Sequence, residues 1–325
     1  MPKYALLMGA NYYSIPSVQL NGCIDDINNM RTLLINNFGY SPNNIFMLHD
    51  DTNDKSLLPT RENMINKLNN IVQLSNNASE IWIHYSGHGS QISKIIGNNV
   101  VGVDNVIVPI DYEANGFIID DELFRIFSKS KCPTIILMDS CHSGTVCDLP
   151  YTTEYLYGNV FKQTRTNRVN IDNKNVFMMS GCKDWQTSED IQDSGQFEGA
   201  FTDAFITSMT TNKFNVNIKK LYQDVCLWMT TKQYTQKPLL SSSSPSLAYQ
   251  FSNNNNTMEG KTSSQAIKTQ FATVLPSFQV PTTLNLNTKM SIQSSSTRPA
   301  TQLLTVLPSS AQVQSNTIKK RFHLW

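Results

Sequence analysis

The chain has 325 residues, 26 Lys and Arg against 25 Asp and Glu, and a formal net charge of +1 at pH 7. That length is enough for one or two domains with a sizeable core. The near-zero charge excludes a general electrostatic affinity for nucleic acid or for membrane surfaces, and no apolar run is long enough to span a bilayer.

In chain order, Tyr4–Met8 predicts a first strand and Gly9-Ala10-Asn11 a turn. Cys23–Phe38 carries apolar residues at Cys23, Ile27, Met30, Leu33 and Leu34, close to helical spacing. Its first turn holds Asp25 and Asp26, where the helix dipole favours acids. Asn44–His49 predicts a second strand. Thr60 then serves as N-cap of a helix with Met64, Leu68 and Ile71 on one face. Ile81-Trp82-Ile83 is a short apolar run that ends in Ser86-Gly87-His88-Gly89. Val100–Val108 reads as a hairpin or irregular loop, and Asp120-Asp121-Glu122 opens a helix with Leu123, Phe124 and Phe127.

Thr134–Met138 is again a short apolar run and reads as a buried strand; it breaks into Asp139-Ser140-Cys141-His142-Ser143-Gly144. Residues 151–174, with Lys162, Arg165, Arg168 and Lys174 among Thr and Asn, read as an exposed linker. Asn175–Ser180 resumes as a strand, Phe201–Met209 and Ile218–Met229 as helices, and Ser246–Phe251 as a last strand. Strands alternating with helices at this spacing predict βαβ units and a mostly parallel sheet. From Ser252 onward the chain turns to Asn, Ser, Thr and Gln with Pro276, Pro281, Pro299 and Pro308, a composition that predicts a disordered tail over 252–325.

Two strand ends carry chemistry. In open α/β sheets the carboxyl edge is where ligands bind. Side chains alternate along a strand, so Asp139 and Cys141 are expected to point the same way, as are Ser86 and His88. If the two strands are neighbours, an imidazole comes near a thiol, the arrangement that activates a nucleophile and protonates a leaving group. The six cysteines, Cys23, Cys132, Cys141, Cys147, Cys182 and Cys226, are scattered with no CxxC pair. They predict free thiols in a reducing, cytoplasmic compartment. His84 and His88 stand four apart, a zinc-like spacing, but Gly87 and Gly89 oppose the helix such a motif needs, and Tyr85 stands where it needs Glu. His84 is expected to be a satisfied histidine within its strand.

HYSGHGSQ (His84–Gln91) and DSCHSGTVCDLP (Asp139–Pro150), in that order, resemble the metacaspases. KYALLMGANYY, LNGCIDDINNM, VDNVIVPIDYE, GFIIDDEL, SGCKDWQTSED and QKPLLSSS extend the likeness over residues 3–251. The resemblance implies a caspase-like three-layer α/β sandwich, with a mainly parallel six-stranded sheet between helices. It divides the peptidase domain, 1–251, into a large-subunit-like segment over residues 1–150, a linker over 151–174 and a small-subunit-like segment over 175–251. It makes Cys141 the nucleophile and His88 its partner. It matches Cys23, Asp26, Ser86 and Asp139 to a pocket for a basic residue, and Asp104, Asp120, Asp121 and Asp148 to calcium ligands.

The implied activity is Ca²⁺-activated endopeptidase cleavage of proteins or peptides after Arg or Lys. An anionic pocket supports that specificity, because a buried carboxylate pair is costly unless a cation joins it, and Arg binds bidentately. Backbone amides near Gly89 and Cys141 are expected to stabilise the oxyanion. Four Asp residues without thiol or imidazole suit Ca²⁺ better than zinc. Lys162, Arg165, Arg168 and Lys174 match the same specificity and are candidate self-cleavage sites. A monomer is expected, without nucleic-acid or membrane partners. The alternative from another class is a catalytically silent scaffold for basic segments or aggregated proteins, against which the intact Cys/His pair argues.

Overall fold

The computed structural model describes residues 1–96, 99–140, 147, 149–166, 169–181 and 199–253. Strand β1 (Lys3–Gly9) leads to helix α1 (Cys23–Phe38), whose bounds are those its apolar spacing predicts. β2 (Ile45–His49), α2 (Arg61–Leu74) and β3 (Glu80–Ser86) follow. Thr60 caps α2 as expected, its Oγ1 accepting from the Asn63 amide. Next come β4 (Gly89–Ile96), β5 (Asn99–Ile107), α3 (Tyr112–Asn115), β6 (Ile118–Ile119), α4 (Asp120–Phe127) and β7 (Thr134–Asp139). The remaining elements are β8 (Tyr151–Tyr157), β9 (Val160–Arg165), β10 (Val176–Ser180), α5 (Ala200–Thr211), β11 (Val216–Asn217), α6 (Ile218–Thr231), β12 (Leu239–Ser242) and β13 (Gln250–Phe251).

The main sheet runs β2-β1-β3-β7-β10-β12-β8-β9. Its first five strands pair in parallel, and the last three are added antiparallel. Helices cover both faces. Trp82, Ile135, Leu137 and Phe177 pack with residues of α1, α5 and α6 on one side. Ile81, Ile83, Ile136 and Met138 pack with residues of α2 and α4 on the other. Alternation along β3 and β7 therefore divides the two cores, as a parallel sheet buried on both faces requires.

Two expectations are corrected. The sheet has eight strands where six were expected. The difference lies in residues 151–165, expected as a linker, which fold into the β8–β9 hairpin and dock on β12. β9 is the sheet's edge and is exposed except at Phe161, so its sequence lacks the alternation that marks a half-buried strand. The Val100–Val108 region is indeed part of a hairpin, β4–β5, joined by β6 into a separate three-stranded sheet. The predicted last strand shortens to β13, which pairs with β11. The tail beyond residue 253 lies outside the described residues.

Candidate active site

The parallel register of β3 and β7 sets Ser86 directly beside Asp139. Both stand at the carboxyl ends of their strands, and the Gly87 amide donates to the Asp139 carbonyl at 3.2 Å, tying the two tips together. Asp26, in the first turn of α1, reaches the same place. The Ser86 hydroxyl donates to Asp26 Oδ2 at 2.6 Å. On the other side, the start of α5 covers Asp139. The Thr202 amide and hydroxyl both donate to Asp139 Oδ2, at 2.9 and 2.7 Å. Gly199, just before α5, has φ +80°, and a side chain there would begin 2.8 Å from Asp26 Oδ1. Only glycine suits a left-handed residue this close to a carboxylate.

The result is a buried acidic pair. Burial, reinforced by the charge of Asp139, raises Asp26 to about 8 against the opposing Ser86 hydrogen bond. Burial raises Asp139 to about 6 against the two Thr202 hydrogen bonds, and Asp203 adds to the rise. Two carboxyl groups kept from water, with no cation paired to them among the described residues, hold on to protons.

His88 lies just past β3, in a turn fixed by two buried tyrosines. Tyr85 Oη donates to the His88 carbonyl at 2.7 Å. Tyr12 Oη accepts from the His88 amide at 3.0 Å and donates to the Val108 carbonyl at 2.6 Å. The Tyr12 and His88 rings lie 4.7 Å apart. Gly87 is needed here, because a Cβ would fall 2.7 Å from Tyr85 Oη. The His88 Nε2 is 2.8 Å from the Val18 carbonyl. A carbonyl only accepts, so Nε2 carries the proton and Nδ1 is the basic nitrogen.

A second cluster lies where β5 meets α4. Asp104, Asp120 and Asp121 have carboxylate oxygens within 4.8 Å of one another, the one such group of three metal-ligating side chains among the described residues. Asp120 accepts from the Asn105 amide at 3.0 Å and from the Asp121 amide at 2.7 Å. Burial, and then the charges of Asp104 and Asp121, raise its pKa. Lys94 of β4 places its Nζ 2.9 Å from Asp104 and 2.8 Å from Asp121. A side-chain cation therefore already occupies ground between hard oxygen donors, and the donor set fits a divalent ion of the Ca²⁺ type.

Comparison with known proteins decides the family. The family model described as "Metacaspase, peptidase C14 domain" matches residues 3–150. The chain is 36% identical over 291 residues to Metacaspase-1 of Saccharomyces cerevisiae, with 75% of this chain and 67% of that protein covered. The chain belongs to the metacaspase family. Metacaspase-1 of Emericella nidulans is 35% identical over 288 residues, covering 75% of this chain and 70% of that one. Among solved structures, a Geobacter sulfurreducens protein superposes with a TM-score of 0.52 at 20% identity, covering 76% of this chain and 95% of its own, a likeness of fold. Metacaspases are caspase-like cysteine peptidases, and this metacaspase carries a caspase-like α/β sandwich built on an eight-stranded sheet.

Of the residues expected at the site, Asp26, Ser86 and Asp139 converge. Cys23 opens α1 one turn before Asp26, is buried, and lies close enough to raise the pKa of Tyr12 and Tyr85. His88 and Gly89 stand at the turn into β4, and Asp104, Asp120 and Asp121 gather as expected. Cys141, Asp148 and Arg168 lie outside the described residues. Lys162 and Arg165 are on β9, opposite Glu154 and Tyr151 of β8. Lys174 Nζ donates to the Ile171 carbonyl at 2.7 Å. His84 is buried but is not satisfied as expected, because its Nδ1 has no partner among the described residues. Sequence reasoning missed Thr202, Lys94 and the Val18 carbonyl. Thr202 carried no local signal, since it is the third residue of α5 and lies inside the predicted helix.

Proposed function

We propose that this metacaspase is a Ca²⁺-activated endopeptidase that cleaves after Arg or Lys, with Cys141 as nucleophile and His88 as its proton partner. The observation that carries the reading is the buried Asp26–Asp139 pair at the tips of β3 and β7. Burial keeps this pair from ionising fully, and an Arg or Lys side chain would supply the positive charge that lets both acids ionise. Positions 88 and 141 each follow a registered pocket residue, Ser86 and Asp139, by two positions, which supports pairing them.

His88, held by Val18 through Nε2, takes the thiol proton at Nδ1. The thiolate attacks the carbonyl after the basic residue, and the imidazolium returns the proton to the leaving amine. Water then hydrolyses the acyl-enzyme, and the amides near Gly89 and Cys141 steady the oxyanion.

Asp104, Asp120 and Asp121, joined by Asp148, are the residues that would hold Ca²⁺. Bound there, the ion supplies positive charge that neutralises the cluster and ties β5 to the start of α4. It competes with the Lys94 ammonium for the same oxygens. Self-cleavage within 151–174 belongs to the reading, with the constraint that bonds after Lys162 and Arg165 become available only when the β8–β9 hairpin opens.

The test is a fluorogenic peptide assay comparing Arg, Lys and Asp before the scissile bond, with Ca²⁺ and with chelator. Turnover of the Arg and Lys peptides alone, lost with chelator and in Cys141→Ala, is the expected result. Binding of basic peptides without turnover would establish the scaffold alternative instead.

A further inference from the structure

We propose that Thr202, itself oriented by His84, is a positioning residue for the basic-residue pocket: it holds one oxygen of Asp139 so that the other meets the substrate cation in a fixed direction. The inference rests on the pocket reading above and adds the residues that decide its selectivity.

His84 is fully buried in the middle of β3. Its Nε2 lies 3.3 Å from Thr202 Oγ1. The Thr202 hydroxyl has one hydrogen, and the 2.7 Å bond to Asp139 Oδ2 uses it. The contact with His84 must therefore run from an imidazole N–H to the Thr202 oxygen. That places the ring proton on Nε2 and leaves Nδ1 with a lone pair and no partner among the described residues. Burial keeps the ring neutral, its pKa lowered to about 3. A neutral buried imidazole with an unfilled acceptor is a poor core residue, since an apolar ring would avoid the desolvation cost. Packing alone does not account for it. A donor that locks the Thr202 hydroxyl does.

The lock has a geometric result. Asp139 Oδ2 is held twice by Thr202, and Asp26 Oδ2 is held by Ser86. The other oxygen of each acid is the one nearest a glycine. Asp139 Oδ1 is 3.7 Å from where a side chain on Gly181 would begin, and Asp26 Oδ1 is 2.8 Å from the corresponding point on Gly199. Each carboxylate thus has one oxygen held by a hydroxyl and its other oxygen beside a glycine, where a side chain would meet it. A planar guanidinium is sensitive to the direction of its acceptors, whereas an ammonium can turn to meet them. The chain His84–Thr202–Asp139 accordingly favours Arg over Lys.

The experiment is steady-state kinetics on the full chain with matched Arg and Lys peptides for wild type, Thr202→Val, Thr202→Ser, His84→Phe and His84→Gln. Circular dichroism melts show that each variant is folded. Thr202→Val is expected to raise KM for the Arg peptide by about tenfold, with kcat nearly unchanged and a clearly smaller effect on the Lys peptide. Thr202→Ser restores the Arg preference. His84→Phe lowers the Arg-to-Lys ratio while keeping or raising Tm, and His84→Gln, which retains an N–H donor, recovers some of it. Equal loss on both peptides, a fall confined to kcat, or an unchanged ratio in folded Thr202→Val would overturn the proposal while leaving the pocket reading intact. A wild-type chain inert toward both peptides overturns the reading, and this proposal with it.

Discussion

If the acidic pair takes a basic side chain as proposed, binding is expected to be a proton-releasing event whose size follows from the structure. Burial raises Asp26 to about 8 and Asp139 to about 6. Near pH 7, Asp139 is therefore mostly ionised and Asp26 mostly protonated. Asp25 and Asp203 add their charges to the rise at Asp26, and His84 beside them is neutral. A guanidinium between the two acids favours the ionised form of both, so it expels close to one proton from Asp26. Affinity for the cation is then expected to fall about tenfold per pH unit below about 8 and to level off above it. A second loss begins below about 6, where Asp139 protonates.

Turnover carries a pH dependence of its own, so the measurement must avoid chemistry. Calorimetric titration with a peptide ending in agmatine, which carries the guanidinium but no scissile bond, in two buffers of different ionisation enthalpy reports the protons released. Close to one proton per site is expected near pH 7 for the wild type and only a small fraction of that for Asp26→Asn. The same pKa values set the sign for stability. The folded free protein holds protons that the unfolded chain has already lost between about pH 4 and 8, so stability falls as pH rises through that window. Asp26→Asn is expected to flatten that fall and to raise Tm near pH 8. Heats independent of buffer, or a melting profile in which Asp26→Asn follows wild type, would refute the charge reasoning.

Three further outcomes are expected. Lys94→Met removes a cation that competes for Asp104 and Asp121. Two partly exposed ion pairs of about 0.2–1 kcal/mol each imply Ca²⁺ binding tighter by about twofold to thirtyfold, read by calorimetry, and an unchanged Kd would show that Lys94 does not compete. Gly199→Ala puts a methyl group 2.8 Å from Asp26 Oδ1 at φ +80°, so it is expected to cost about 1–3 kcal/mol in a denaturation curve and to weaken Arg-peptide cleavage; a neutral result would mean that the α5 start is slack. Mass spectrometry of protein incubated with Ca²⁺ is expected to find cuts after Lys162 and Arg165 slower than cuts elsewhere in 151–174, because both residues pair with β8; early cuts there would show that the hairpin opens readily.

How much of this was legible in the sequence depends on where each residue carries its information. α1 was readable to the residue because five apolar positions repeat at helical spacing and bury one face. Asp139 was readable because it closes a short apolar strand whose next residues are small and polar, whereas Asp26, in the first turn of α1, was assigned through the family resemblance of LNGCIDDINNM. Parallel pairing of β3 with β7, inferred from strand–helix alternation, then brought Ser86 and Asp139 together. β9 escaped because this edge strand is exposed except at Phe161 and has no buried face to impose a period, and Lys162 and Arg165 on it look like solvated linker charges. β12 escaped for a related reason: Leu239–Ser242 is too short to show alternation and owes its strand form to pairing with β10 and β8. The Val18 carbonyl that orients His88 is backbone, and no side-chain pattern reports it.

Thr202 and Lys94 show a different limit. Each is ordinary in its own segment, one a hydroxyl in the first turn of an apolar helix, the other a Lys on a hairpin strand. Each acquires meaning only from a carboxylate far off in the chain, Asp139 for Thr202 and Asp104 with Asp121 for Lys94. The acids could be assigned because they stand in stretches that resemble a family's motifs. Their partners could not, because a hydroxyl or an ammonium bears no mark of its target until the sheet sets the register. The residues that adjust affinity in this site therefore lie in segments that read as plain helix and plain hairpin, and comparing Arg with Lys substrates in the Thr202 variants, or Ca²⁺ binding in Lys94→Met, tests the fold's contribution separately from the motif's.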